Sequence, residues 1–174
     1  MALREILTEP NKILRQKSIN VDQVDKELQK LMDDMLETMY AAPGIGLAAI
    51  QVGVPKRVIV LDLAKKDEPK NPMFFINPEI IERSKNNSTY EEGCLSVPGQ
   101  FAEIDRPDKC HIKYLDYYGK QKEIEASGML ATCIQHEMDH LEGILFIDYL
   151  SKLKKTMIIK KLSKQKKSIE RIVV

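Results

Sequence analysis

Apolar residues recur along this chain with two different periods, and the places where one gives way to the other outline its elements. Leu28, Leu31, Met32, Met35, Leu36 and Met39 fall at three- and four-residue spacing, which puts them on one face of an amphipathic helix. Pro43 and Gly44 should end it. After the segment GIGLAAIQVGVPK comes RVIVLDL, whose β-branched residues predict a strand. In MFFINPEIIERS, Pro78 interrupts the apolar run, so two short strands, or strands at a sheet edge, are expected. Residues 110 to 126, CHIKYLDYYGKQKEIEA, alternate on either side of Tyr118-Gly119-Lys120 and predict a β-hairpin. Helical spacing returns with Met129, Leu130, Cys133, Ile134, Met138 and Leu141, over about 128 to 141, and Gly143 sits where a C-terminal cap would. Ile158, Leu162, Ile169 and Ile172 have roughly helical spacing near the end of the chain. This order implies an α+β fold and not a wound parallel sheet: small antiparallel or mixed sheets packed around a central helix, with an N-terminal and a C-terminal helix.

Composition narrows the class. With 174 residues, 43% of them hydrophobic, the chain can close one sizeable core, so a single domain over 1–174 is expected, with 151–174 as a basic C-terminal helix. The net charge of +1, from 27 basic and 26 acidic residues, provides no global field that would select nucleic acid. Cys94, Cys110 and Cys133 form no CxxC pair and are odd in number, which argues against a disulfide framework and for a reducing compartment. The opening stretch MALREILTEPNKILRQ matches neither a secretory signal nor a transit peptide, and no apolar run approaches membrane-spanning length. A cytoplasmic monomer without a membrane partner is the expectation, although a mature organelle protein would look the same.

The segment QHEMDHLEG, residues 135 to 143, changes this general picture. His136 and His140 are four residues apart on the predicted helix, so both imidazoles can point at one ion, while Glu137 lies beside them without ligating. Hydrolytic metal sites need this division of labour: neutral imidazoles hold a cation that acidifies water, and a carboxylate takes the proton. On an ordinary helix surface such a match is often accidental, but here the neighbours are apolar. Two histidines leave the site one protein ligand short. An HExxHxxGxxH pattern would want histidine at 146, where Phe146 stands, and the only later glutamates are Glu142 and Glu170. Cys133 is seven positions from His140, about 10 Å along a helix at about 1.5 Å per residue, too far to share the ion, and better suits a pocket wall. Cys110 and His111 lie on opposite faces of a strand and have no further support. Cys94, in EEGCLSVPG at 91 to 99, sits in an extended or turning segment where Gly93 allows close backbone approach and Pro98 forbids a helix. It could complete a Cys/His/His centre with the Leu95 N–H nearby; a buried structural cysteine is the competing reading.

Three segments taken together, GIGLAAIQ at 44 to 51, EGCLS at 92 to 96 and QHEMDHLEG, resemble the signature motifs of the peptide deformylases in order and spacing, and the likeness runs from about Ile6 to the C-terminus. The resemblance implies a hydrolase that removes the formyl group from N-formylmethionyl nascent polypeptides and releases formate. It implies Cys94, His136 and His140 as metal ligands, Glu137 as general acid/base, and Gln51 with the Leu95 amide as donors to the reacting oxygen. By the same resemblance Gly46 would let substrate lie along the strand, and Gly44, Ile45, Glu92, Gly93, Leu95, Met129, Thr132, Cys133 and His136 would surround the methionine. The family implies Fe2+, with Zn2+, Ni2+ or Co2+ able to occupy the same ligands.

Two features depart from or add to that pattern. Related enzymes often have arginine where this chain has Phe101, which leaves Arg106 as the basic residue expected near the peptide path. The last segment holds nine basic residues between 152 and 171 against the single acid Glu170. A solvated lysine face and a contact with ribosomal RNA both fit it. An HExxH endopeptidase and a deformylase-like protein without catalysis are the rival classes. The first lacks its usual third ligand, and the second would be expected to have lost Glu137, Gln51 or a ligand.

Overall fold

A computed structural model describes residues 2–173, with side chains described up to residue 167. Helix α1, Lys26–Ala41, starts where the Asp25 carboxylate accepts a hydrogen bond from the Leu28 N–H at 2.8 Å, and it stops just before Pro43. The strands described are β1 (Gly46–Ala48), β2 (Val58–Leu61), β3 (Met73–Arg83), β4 (Asn87–Cys94), β5 (Val97–Pro107), β6 (Lys109–Leu115) and β7 (Gln121–Ser127). Helices α2 (Gly128–Leu141) and α3 (Lys152–Val173) follow. Strands β1, β2, β3, β6 and β7 pair in that order as an antiparallel sheet, and β4 and β5 form a separate two-stranded sheet. The expected α+β arrangement is present, and both sheets are antiparallel.

The unbroken apolar run in β2 follows from its position between two helices. Ile59 and Leu61 pack with Ile134, Met138 and Leu141 of α2, while Val58 and Val60, one residue out of phase, pack with Met32, Met35 and Met39 of α1. Helix α2 is therefore buried along most of its length, with the polar side chains of Gln135, His136, Glu137 and His140 buried as well as its apolar stripe. Its end is fixed by Gly143, at φ +75°, where a Cβ would run into the backbone of Arg15.

One expectation fails. Pro78 neither divides MFFINPEIIERS nor sits at an edge: β3 is one strand of 11 residues lying between β2 and β6. Its register with β6 shifts between Ile76 and Glu79, and Asn77 takes a positive φ of 50°. Asn77 is held there by its side chain, which accepts from the Val21 N–H and donates to the Val21 carbonyl, each at 2.8 Å. The bulge removes Pro78 from the hydrogen-bond ladder, so its missing N–H costs no pairing.

A third apolar cluster joins Leu14, Val97, Ile104, Leu145, Phe146 and Ile147 to Leu162 of α3, with Ile158 and Ile159 packed at its edge. The apolar side of the basic helix thus covers the β4–β5 sheet; the side chains of Ile169 and Ile172 lie outside the described residues. No helix among the described residues is long and apolar enough to cross a membrane.

Candidate metal centre and cleft

Helix α2 brings His136 and His140 onto one face, both buried, with ring centroids 5.2 Å apart. Cys94 ends β4 where the β4–β5 register breaks, and that irregularity turns its thiol toward the helix: Sγ lies 3.3 Å from His140 Nε2. One ligand atom from each of Cys94, His136 and His140 falls within 4.8 Å of the others, and no other trio of such residues among those described meets this distance. A thiolate with two imidazoles fits a first-row divalent ion, and three protein donors leave coordination open for water or substrate.

The second nitrogen of His136 is held from behind. Its Nδ1 lies 2.8 Å from Glu92 Oε1, and Glu92 accepts two further hydrogen bonds from Arg106, at 2.7 and 2.9 Å. Burial opposes the charged form of His136, but its contacts with Cys94 and Glu92 outweigh that and raise its pKa. For His140, burial and the neighbouring His136 both act downward, keeping the ring neutral. Burial alone would raise the pKa of Glu92, yet hydrogen bonds from His136 and Arg106 bring it below the usual carboxylate range. The site thus has a buried carboxylate behind a candidate ligand imidazole, an arrangement that fixes ring orientation and would increase its donor strength toward a metal.

Glu137 is also buried, its Oε1 4.0 Å from His136 Nε2 and its Oε2 without a partner. Burial pushes its pKa up to about 7, close to the value at which a carboxyl can both take and return a proton near neutrality. The carboxylate rests against β1: a Cβ on Gly46 would stand 2.6 Å from Glu137 Oε1 and 2.8 Å from Leu61 Cδ2. The glycine is thus needed for the close approach of the carboxylate, a reason absent from the sequence reading.

These groups open on a cleft of about 450 Å³. Gly44, Ile45, Gly46, Gln51, Glu92, Gly93, Cys94, Leu95, Met129, Thr132, Cys133, His136 and Glu137 all line it; His140 is fully buried behind the wall. Gly44 is packed under Leu95, whose Cδ1 would be 2.6 Å from an added Cβ, and Gly93 lies equally close under the Phe101 ring. Cys133 forms wall as expected, with its thiol pKa pushed up to about 12 by burial. Gln51 sits in a short 3-10 turn, Ala49–Val52; its Oε1 accepts from the Ala48 N–H at 2.9 Å, while Nε2 donates to Ser96 Oγ at 3.0 Å and lies 3.5 Å from Cys94 Sγ.

Other expectations are corrected. Arg106 is not on the peptide path: it is buried, 5% exposed, and joins Glu92 to Asp139. Glu92 contributes to the cleft wall, but its carboxylate is committed to His136 and Arg106. Cys110 belongs to the apolar core, and His111 pairs with Glu123 at 2.9 Å, so neither approaches the centre. Ser96, Asp139 and Tyr149 were missed. Ser96, which accepts from Gln51, and Asp139, which accepts from Arg106, stand inside the motifs already quoted, two residues after Cys94 and between the two histidines, and that position was the available signal; Tyr149, which donates to Asp139, carried none.

A model of the polypeptide deformylase family matches residues 3–156. The chain is 64% identical over 174 residues to the peptide deformylase of Pelagibacter ubique (strain HTCC1062), covering all of both chains. It is 62% identical over 171 residues to that of Maricaulis maris (strain MCS10), covering 98% of each. Among solved structures it superposes on the crystal structure of peptide deformylase from Ehrlichia chaffeensis with a TM-score of 0.92 and 43% identity, covering 96% of this chain and 98% of that one. With the family's three motifs gathered around one cleft and this likeness along nearly its whole length, the chain belongs to the peptide deformylases, metal-dependent hydrolases that remove the N-formyl group from nascent peptides.

Proposed function

We propose that Cys94, His136 and His140 hold the metal, that Glu137 is the general acid/base, and that Gln51 and the Leu95 amide stabilise the reacting oxygen. The observation that carries this reading is the convergence of the three ligand atoms within 4.8 Å, with the Glu137 carboxylate beside them at the end of the cleft. When bound, the metal supplies Lewis acidity toward water and the formyl oxygen. Glu137 takes a proton from water as its oxygen adds to the formyl carbon, then delivers that proton to the amine as the C–N bond breaks, so formate and a free N-terminus result. Gln51, its carbonyl oxygen anchored by Ala48, presents Nε2 next to Cys94, where an N–H can meet charge developing on the formyl oxygen. Ile45, Met129, Thr132 and Cys133, with Gly44 and Gly93 beside them, form the surroundings of the methionine side chain.

Fe2+ is the ion we assign to the site, with Zn2+, Ni2+ or Co2+ as alternative occupants of the same donors. We further read 1–174 as one deformylase unit working in the cytoplasm as a monomer. In α3, Leu162 is buried while Lys160, Lys161, Lys164, Lys166 and Lys167 are exposed, which favours a lysine face available to ribosomal RNA. Replacing Lys160, Lys161 and Lys164 by Gln should lower co-sedimentation with ribosomes at low salt; unchanged co-sedimentation excludes that contact. The catalytic reading is tested by formate release from formyl-Met-Ala-Ser, with bound metal measured in the same sample. Glu137→Ala should retain metal and lose turnover, and an active Glu137→Ala protein would remove Glu137 from its role.

A further inference from the structure

The donors proposed for the metal come from two separately built parts of the molecule. His136 and His140 belong to α2, which is packed on the five-stranded sheet, whereas Cys94 belongs to the detached β4–β5 pair. Something must hold the strand at a fixed distance from the helix. Arg106, on β5, spans this gap: Nε and Nη2 donate to Glu92 of β4, and Nη1 donates to Asp139 of α2 at 2.8 Å. Glu92 is two residues from Cys94 and Asp139 is one residue from His140, so each carboxylate moves with a ligand. Glu92 also returns to α2 through His136 Nδ1, which closes a loop from helix to strand and back. At its outer end the Tyr149 hydroxyl donates to Asp139 Oδ2 at 2.7 Å, and the Arg106 guanidinium lies 5.0 Å from the centre of the Tyr149 ring.

We propose that Asp139 and Tyr149 are positioning residues for the metal centre: through Arg106 they set the spacing between Cys94 on its strand and the two histidines on their helix. This rests on the assignment of Cys94, His136 and His140 as the ligands. Asp139 faces away from the cleft, since it lines a different depression with Arg57, Arg83 and Gln135, so it acts without touching substrate. Arg106 is 5% exposed and Asp139 20%, and a guanidinium held in a planar fork by two carboxylates has little freedom to change their separation. Removing a group that bonds a metal ligand directly, as Glu92 does His136, commonly weakens metal binding about 10- to 100-fold, and Asp139, acting one contact further out through Arg106, should fall in the lower part of that range.

The test uses metal-free full-length protein loaded with Co2+, whose thiolate-to-metal absorption band reports Cys94 directly, and affinity measured against a chromophoric chelator. Asp139→Asn should weaken Co2+ binding about 10-fold or more and shift or diminish the thiolate band; Tyr149→Phe should do the same to a smaller degree, and Asp139→Glu should restore part of the loss. Thermal unfolding of the metal-free variants separates this from a general loss of stability. If Asp139→Asn and Tyr149→Phe lower the unfolding temperature yet keep the parent's Co2+ affinity and band, the residues only stabilise the fold and the proposal is wrong. Absence of the thiolate band from the parent protein, or its survival in Cys94→Ser, instead overturns the ligand assignment itself.

Discussion

Gly46→Ala should uncouple folding from catalysis. The added Cβ would lie 2.6 Å from Glu137 Oε1, about 0.8 Å short of the 3.4 Å at which ordinary contact begins, and 2.8 Å from Leu61 Cδ2. The least costly relief is rotation of the Glu137 carboxylate, the free end of a flexible side chain, with a smaller adjustment of Leu61. Overpacking of this kind costs about 1–3 kcal/mol of stability. Displacing a catalytic group by about 1 Å can cost about 100-fold in rate, equivalent to about 2.7 kcal/mol of barrier. The expected protein is therefore folded, metal-loaded, and lower in kcat/KM for formyl-Met-Ala-Ser by about 100-fold, with KM changed less than kcat. Adding Leu61→Ala removes the second clash without freeing the carboxylate, so the double variant should keep the same loss of about 100-fold. Unchanged kcat/KM in Gly46→Ala would refute the argument, as would recovery of full activity on trimming Leu61.

Other expectations concern stability and reactivity. Asp34, only 2% exposed, would be raised by burial, but hydrogen bonds from the Ala2 N–H and Arg4 lower its pKa below 3.8. A depressed carboxyl stabilises above its unfolded pKa and loses that contribution as pH falls through the folded value. Asp34→Asn should thus cost about 1–3 kcal/mol by urea unfolding at pH 7, and a deficit that persists undiminished at pH 2 would contradict this origin. Arg106→Met leaves Glu92 and Asp139 without their shared cation and should cost about 3–5 kcal/mol; a fully stable variant would show that the two carboxylates do not depend on it. Ile112, fully buried between the sheet and α2, should cost about 2–5 kcal/mol as Ile112→Ala in the same assay. Cys133, with its thiolate disfavoured, should stay unalkylated by iodoacetamide at pH 8 when peptides are mapped by mass spectrometry; rapid labelling would contradict its burial.

The features legible in the sequence were those whose signal is local. Helices α1 and α2 carry one strong apolar stripe each, and the 110–126 hairpin alternates around a turn whose Gly119 has φ +82°. His136 and His140, four apart on a helix, point to a metal site before any fold is known, whereas Cys94 on its residues alone fits a structural cysteine equally and becomes a candidate ligand through the family resemblance. What escaped depends on distant partners. Strand β3 runs through Pro78 because Val21, 56 residues away, holds Asn77 in the bulge. Of the long β4–β5 pair only 91–99 reads as extended: burial alternates along both strands, but inward positions such as Ser88, Glu92, Gln100 and Arg106 are polar and give no apolar alternation. Arg106 reads as the basic residue near the peptide path because Phe101 stands where relatives often have arginine; the two carboxylates that hold it lie 14 and 33 residues away in sequence. Gly46 shows the same limit: the motif marks it, but only the packed helix reveals which carboxylate needs the space.

X-ray absorption at the metal edge of protein purified without oxygen tests the centre most directly. The first shell should contain one sulfur and two nitrogens, at about 2.3 Å and about 2.0–2.1 Å when Zn2+ fills the site, with the sulfur lost in Cys94→Ser. A shell of nitrogen and oxygen alone in the parent protein would contradict the assignment of Cys94 and, with it, the geometry proposed for deformylation.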